Sequence, residues 1–503
     1  MVAVFGLLAM LLPAVATAMV NYATVSSHVS FSVRANGPAY WGANCTKQET
    51  IKRSSYVLPQ GYGEVIVKAG SGQYANTVFL NPTVGQTVWA DTNGNNVFDP
   101  LGRPGDKDID HVIFCGPTAT VQTVKIGVDL SLAAGENVAN VSALDGILLA
   151  LAQHPVPGYD VELNVKDDVV DGAVDRSQGA ANTTALVNDA SVYAMVGPFG
   201  SAVAFAEIPI TNAASLLQCS PSNTAPGLTK EWGGVDPTIY RPAHPDKIAY
   251  VRVVAPDDVQ GPAGADIAYN VAGAKTAWVV DDTSPYGSGI ADAFTAAFQK
   301  LGGTVVRRDS VDPSVTDYTS LIAPAISLNP QYVYFGGVTT TGGGELRRQM
   351  VAPGLGIPFG GPDGIWDGSA ATAGSFLNVA GPEGDPSTYA TTTGANEMLH
   401  APQFVRDYHA MFSTDPSYYS ASAYACTQIL LQALQAVGPV REKVRAYVTK
   451  PNHTYQTVIG AFGFDRNGDT TQKLMGEFTF DPGTNDWKFF RERDYARTSQ
   501  GKR

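Results

Sequence analysis

Charge is scarce in this chain of 503 residues: Asp, Glu, Lys and Arg make up only 16%. Basic residues are the rarer kind, 33 against 46 acidic, for a net charge of −13. That leaves little with which to neutralise phosphates, so nucleic acid is excluded as the main partner. Histidine numbers 7, and His244, His400, His409 and His453 are scattered with no triad context, which argues against a hydrolase. Tyr286-Gly287-Ser288-Gly289 offers part of a nucleophile elbow but lacks the first glycine of the Gly-x-Ser-x-Gly pattern. No enzyme activity and no cofactor are expected. The 4 cysteines and the histidines lack zinc-ligand spacing. The apolar stretch at the start is too short for a comfortable membrane span, and no later run could cross a bilayer.

That stretch, residues 2–16, is followed by Ala16-Thr17-Ala18, the small-x-small pattern of a signal peptide over residues 1–18. No Lys or Arg precedes it, and no Cys follows Ala18 to anchor a lipid. An exported, periplasmic or cell-surface protein is expected. In that compartment Cys45 and Cys115 are expected to pair, whereas Cys219 and Cys426, lying in apolar runs, read as buried free thiols. The length suits two to four domains, and 44% apolar residues suit packed cores.

Residues 22–120 alternate apolar and polar between turns, as in Val29-Ser30-Phe31-Ser32-Val33 and Glu64-Val65-Ile66-Val67-Lys68, and predict a small all-β domain ending near Gly116-Pro117-Thr118. Within it, Asp91 to Asp99 places oxygens at calcium-loop spacing; the glycine falls early and the closing Glu is absent, so an Asn-Gly hairpin explains it equally. From residue 122 strands and helices alternate. Strand 124–130 leads to a helix near 138–154 with Leu144, Ile147, Leu148 and Leu151 on one face. The alternation continues through strand 192–197, helix 201–213, strands 215–219 and 276–280, helix 288–301, and strand 332–335. Such alternation predicts an α/β protein with doubly wound parallel sheets, long enough for two lobes.

Ligands of such sheets bind at the carboxyl ends of the strands. Four loops stand there. Gly197-Pro198-Phe199-Gly200-Ser201 places Ser201 as a helix N-cap beside free amides suited to an anion, though an ordinary cap reads the same way. Ser220-Pro221-Ser222-Asn223-Thr224 is dense in donors and acceptors, and Tyr286 and Asp363 follow two later strands.

Together with their flanks (Val196 to Pro209, Leu217 to Thr229, Asp257-Asp258-Val259-Gln260-Gly261-Pro262, Asp282 to Gly289, Tyr334-Phe335-Gly336-Gly337, Gly361-Pro362-Asp363-Gly364 and Phe464 to Asp469) these segments resemble the branched-chain amino-acid-binding proteins, type I periplasmic solute-binding proteins of ABC importers. The resemblance covers residues 122–490. It implies two lobes joined by a three-strand hinge with crossovers near 256, 393 and 477. Lobe one would comprise 122–256 and 394–476, lobe two 257–393 and 477–490, and residues 491–503 a tail. It further implies that Ser201, Thr224 and the backbone around Ser222 hold a ligand carboxylate. Asp363, where the family commonly has a longer Glu, would take the ammonium, and Tyr286 would close over the ligand. Val338 and Thr339 stand where an aromatic is expected. The implied partners are a small amino-acid ligand and a membrane permease, for a monomeric receptor. A sensory or adhesive protein using the same lobes is the alternative, motivated by the 22–120 domain.

Overall fold

The computed structural model describes residues 23–30, 35, 37–42, 44–49, 55–96, 98, 107–116, 122–133, 137–351, 355–384, 386–393 and 400–495. The expected signal peptide, residues 31–33 of the first alternating run, residues 97 and 99 of the Asp91 loop, the junction at 117–118, residues 394–399 after the second crossover and residues 496–503 of the expected tail lie outside them. The expectation of a tail from 491 is corrected, because Arg491 to Asp494 pair with Leu474 to Glu477 in the last strand of the second lobe's sheet. The chain divides into two units, up to Gln122 and from Thr123.

The first unit is built from strands whose alternation buries both faces. Its main sheet runs in the order β1 (Ser27–Val29), β5 (Asn76–Leu80), β4 (Glu64–Lys68), β7 (His111–Cys115) and β2 (Cys45–Glu49), every pair antiparallel. β3 (Ser55–Val57) pairs with β6 (Thr87–Trp89). Val65 and Val67 join Phe79, Val88 and Trp89 in one core cluster, while Ile66, between them, packs with Val78 and Ile113 in another. Period-two alternation along β4 sends these neighbours to opposite faces. Cys45 and Cys115, directly opposed in register, form the expected disulfide. The Asp91 carboxylate accepts the amides of Gly94, Asn95 and Asn96 at 2.8, 3.2 and 2.7 Å and meets the His28 ring at 2.9 Å, which occupies its oxygens within the turn.

The second unit holds two sheets. The first is ordered β14 (Tyr250–Arg252), β13 (Leu217–Ser220), β12 (Val192–Val196), β8 (Gln122–Leu130) and β9 (Tyr159–Asp167), with β8, β12, β13 and β14 parallel. The second is ordered β16 (Thr304–Ser310), β15 (Thr276–Asp281), β17 (Tyr332–Gly336), β18 (Phe359–Gly361), β19 (Thr388–Thr393), β22 (Leu474–Asp481) and β23 (Asp486–Asp494). It is parallel as far as β19, after which β22 and β23 close it antiparallel. A short hairpin, β10 (Val169–Val170) with β11 (Ala173–Val174), leaves lobe one. Strand order reverses at β8/β12 in one sheet and at β15/β17 in the other, the switch points where a crevice opens.

Helix α1 (Asn137–Gln153) packs on a long buried helix, labelled α10 below, and its phase differs from the expectation. Ala143, Ile147 and Ala150 are buried, whereas Leu148 is 37% exposed. Positions 143, 147 and 150 follow the i, i+4, i+7 stripe, and Leu148 lies beside it. A Cβ at Gly146 would stand 2.2 Å from the Ser420 carbonyl oxygen, so the helices approach closely there only through glycine. The remaining helices used here are α2 (Arg176–Asn188), α3 (Ser201–Ala213), α4 (Asp257–Asp266), α5 (Pro285–Lys300), α6 (Thr319–Ser327), α7 (Gly343–Val351), α8 (Phe376–Gly384), α9 (Pro402–Phe412), α10 (Ser420–Val437) and α11 (Arg441–Val448).

The expectation of free thiols at Cys219 and Cys426 is corrected: they form a disulfide, with 5.8 Å between their Cα atoms. Both side chains are fully buried, and α10 packs in the same core cluster as Cys219 of β13. Apolar surroundings are shared by a buried thiol and a buried bridge, so composition does not separate the two.

Candidate functional site

On lobe one, the turn after β12 and the turn after β13 are stitched together. The Ser220 hydroxyl accepts the amides of Ser222 and Asn223 at 3.3 and 2.9 Å and donates to the Pro198 carbonyl at 3.2 Å. Asn223 Nδ2 donates to the carbonyls of Pro198 and Phe199, and Ser222 Oγ donates to Phe199 O at 2.8 Å. Beneath them Arg252, fully buried, donates to the carbonyls of Asn223 and Ala225 at 3.2 and 2.8 Å and to Asp469 Oδ1 at 2.7 Å. Burial works to raise the Asp469 carboxyl, but the adjacent Arg252 and Lys230 charges outweigh it and hold it well below the usual carboxylate range. One buried cation thereby fixes the backbone of the β13 loop.

Ser201 is not the N-cap of α3. That position is Gly200, in extended conformation and with no side-chain cap, and Ser201 is the first helical residue. Its hydroxyl instead accepts the Ala225 amide at 3.4 Å. A cap without a side-chain acceptor leaves amides of the first turn directed outward, where the helix dipole favours an anion.

On lobe two, Asp282 joins the loops after β15 and β17. It accepts from the Ser284 amide and hydroxyl at 3.0 and 2.6 Å and from Thr341 Oγ1 at 2.8 Å. Ser284 in turn caps α5 through the Gly287 amide, which sets Tyr286 in the first turn. Tyr286 donates to Asp363 Oδ1 at 3.0 Å and accepts the Gly364 amide at 3.2 Å. The other Asp363 oxygen accepts the Tyr419 hydroxyl, from lobe one. Burial pushes the Asp363 carboxyl up, while the Tyr419, Gln260 and Tyr286 hydrogen bonds work against that rise. Asp257, fully buried at the start of α4, is raised well above the ordinary range by burial first and by the nearby Asp363 charge second.

These loops enclose a cleft of about 610 Å³. Lobe one lines it with Ser131, Phe199, Ser201, Ser222, Thr224, Tyr418, Tyr419 and the hairpin residues 172–174; lobe two with Asp282, Ser284, Tyr286, Pro313, Val338, Thr340, Thr341 and Asp363. Of the residues named from sequence, Ser201, Ser222, Thr224, Tyr286, Val338 and Asp363 are brought together on this lining. Thr339 is not; it is buried, its hydroxyl 3.5 Å from the Gly364 carbonyl, and Thr340 and Thr341 take the wall. Phe199, Tyr418, Tyr419 and the β10–β11 hairpin were missed. Phe199 sat inside the glycine turn already singled out, whereas Tyr418 and Tyr419, ahead of a long apolar helix, read as core from sequence. Among the described residues no group of three or more His, Cys, Asp or Glu could hold a metal, and no histidine lines the cleft. No helix among the described residues is long and apolar enough to cross a membrane.

The Periplasmic binding protein family matches residues 123–480. The Leu/Ile/Val-binding protein homolog 1 of Brucella melitensis is 29% identical over 325 residues, covering 64% of this chain and 79% of its own. Among solved structures, the leucine-binding protein LivK of Thermotoga maritima superposes with a TM-score of 0.64 at 24% identity, over 74% of this chain and 99% of its own. The branched-chain amino-acid transporter substrate-binding protein LivJ of Streptococcus pneumoniae, in complex with isoleucine, gives 0.62 at 21%, over 74% and 99%. At these identities the two structures establish the fold alone.

Proposed function

The chain belongs to the periplasmic binding protein family, and from that premise we propose that it is an exported receptor that binds an amino acid, branched-chain or of related size, between its lobes and hands it to the permease of an ABC importer. The observation that carries this reading is the polarity of the cleft. At one wall the uncapped first turn of α3, with Ser201, Ser222 and Thr224, suits a carboxylate. At the other, the buried Asp363 suits an ammonium. Phe199, Tyr286, Tyr418 and Val338 add apolar and aromatic surface to the same lining, suited to a side chain.

A zwitterion desolvated here pairs both of its charges, whereas a ligand lacking one leaves a buried partner unmet. Closure is a hinge motion about the strands that connect the lobes, and it needs no bond-making step. Two disulfides support an oxidising compartment. The relatives named above are a Leu/Ile/Val-binding protein homolog and a transporter substrate-binding protein, and they lend no support to the sensory or adhesive alternative. A thermal-shift screen against the amino acids tests the reading, because a ligand of the folded state raises the melting temperature. At least one amino acid should raise it; a flat response to all of them, amides and small peptides included, would refute the proposal.

A further inference from the structure

Asp363 of lobe two accepts two phenolic hydroxyls that come from opposite sides of the cleft. Tyr286 belongs to lobe two itself, so its bond to Oδ1 persists whatever the lobes do. Tyr419 belongs to lobe one, and its bond to Oδ2 exists only while the lobes are together.

The backbone that presents Tyr419 is unusual and firmly held. Its φ of 69° and ψ of −3° place a ring-bearing residue in the left-handed region, a conformation that persists only where the surroundings impose it. The surroundings do so. The next residue, Ser420, shares a 2.5 Å hydrogen bond with Ser142 of α1 and donates to the Ser417 carbonyl at 2.6 Å. The first turn of α10 cannot back away, because α1 presents Gly146 to it and the Cys219–Cys426 disulfide ties the helix to β13. The Phe199 ring stands edge-on to the Tyr419 ring, with centroids 5.6 Å apart. Lobe one thus holds the Tyr419 hydroxyl out toward lobe two on a rigid mount, and a hydroxyl bonded to a buried carboxylate is a strong contact.

We propose that Tyr419 is the interlobe latch of this receptor: its hydroxyl, donated across the cleft to Asp363, holds the lobes together before any ligand arrives. The inference rests on the two-lobed receptor reading and adds to it a positioning residue. Each Asp363 oxygen accepts one phenol and keeps a lone pair for a ligand ammonium, so the latch and the ligand bind the same carboxylate side by side. The latch sets the closed fraction of the empty protein, and the apparent affinity scales with that fraction.

The test needs no ligand. Spin labels on Thr184→Cys (α2, lobe one) and Ser327→Cys (α6, lobe two), both exposed, report the interlobe distance by pulsed electron paramagnetic resonance. In the empty protein Tyr419→Phe should shift the distribution to longer distances, as should Asp363→Ala, whereas Tyr286→Phe should leave it in place. Binding of leucine, if it is a ligand, should weaken roughly tenfold in Tyr419→Phe, the loss of one hydrogen bond to a charged group. An unchanged distance distribution in a cooperatively melting Tyr419→Phe overturns the latch. If that variant does not fold, an unchanged distribution in Asp363→Ala overturns it equally. Failure of every amino acid to raise the melting temperature of the parent protein would contradict the receptor reading alone, since the opening by Tyr419→Phe is read without ligand.

Discussion

Asp363 carries the largest single consequence. Asp363→Ala should weaken an amino-acid ligand by about 2–5 kcal/mol, through the unpaired ammonium, in calorimetric titration; unchanged affinity would place the ammonium elsewhere. Arg252 is the second such residue. Its guanidinium and Asp469 are both fully buried, so Arg252→Met leaves the buried carboxylate only the Lys230 ammonium as a cation and should cost about 3 kcal/mol in urea denaturation. The β13 loop, held by the same guanidinium, should loosen with it. Ser201, Thr224, Tyr286 and Asp363, all on the cleft lining, were singled out by their place after buried strands together with the family resemblance, since loop position alone left each open to an ordinary cap, turn or packing role. Tyr418 and Tyr419 were not, because tyrosines ahead of an apolar helix read as core, and only the left-handed turn at Tyr419 aims its hydroxyl into the cleft. Thr339 and Thr340 exchanged places because one residue of phase in a short turn decides which side chain faces the cavity.

Among the elements, α3 was placed at its observed bounds, but its cap was assigned one residue late, since Ser is a better cap than Gly by propensity. The α1 stripe was legible as helical but misphased at Leu148, because which face is covered depends on α10, more than 260 residues away in sequence. Helices α9, α10 and α11 succeed one another without an intervening strand, and strand–helix alternation, the signal that resolved the preceding region, is silent there. The Cys219–Cys426 disulfide joins α10 to β13, whose loop lines the cleft, across a sequence separation of 207. Replacing both cysteines by Ala should cost roughly 3–5 kcal/mol in chemical denaturation, by the chain entropy of so long a loop. A loss of under about 1 kcal/mol would mean that packing alone holds α10.

At the scale of the whole molecule, the two doubly wound lobes and the β-rich first unit were legible because switching of the apolar period from two to helical spacing is a long-range pattern. The order of strands within each sheet was not, because it depends on which edges pair. Lobe one also buries acids that shape the response to pH. Asp129 and Glu207 are fully buried, and both face the same point at Gly179. Burial pushes Asp129 up to about 7, a rise that hydrogen bonding with Glu207 only partly opposes, and burial pushes Asp168 to about 6. A carboxyl raised in the folded state binds protons there that the unfolded chain has released, so stability falls as pH rises from about 4 through 7. The melting temperature of the empty protein should therefore drop over that range, and Asp129→Asn, which can still accept from Asn182, should flatten the drop. In the proposed function the cleft holds a zwitterion at both ends. Calorimetric titration of leucine, isoleucine and valine beside their deaminated carboxylic acids tests it most directly. At least one amino acid should bind, and its deaminated partner should bind at least about 30-fold more weakly; equal affinity of the two, or no binding by any of the three amino acids, would refute recognition of both charges.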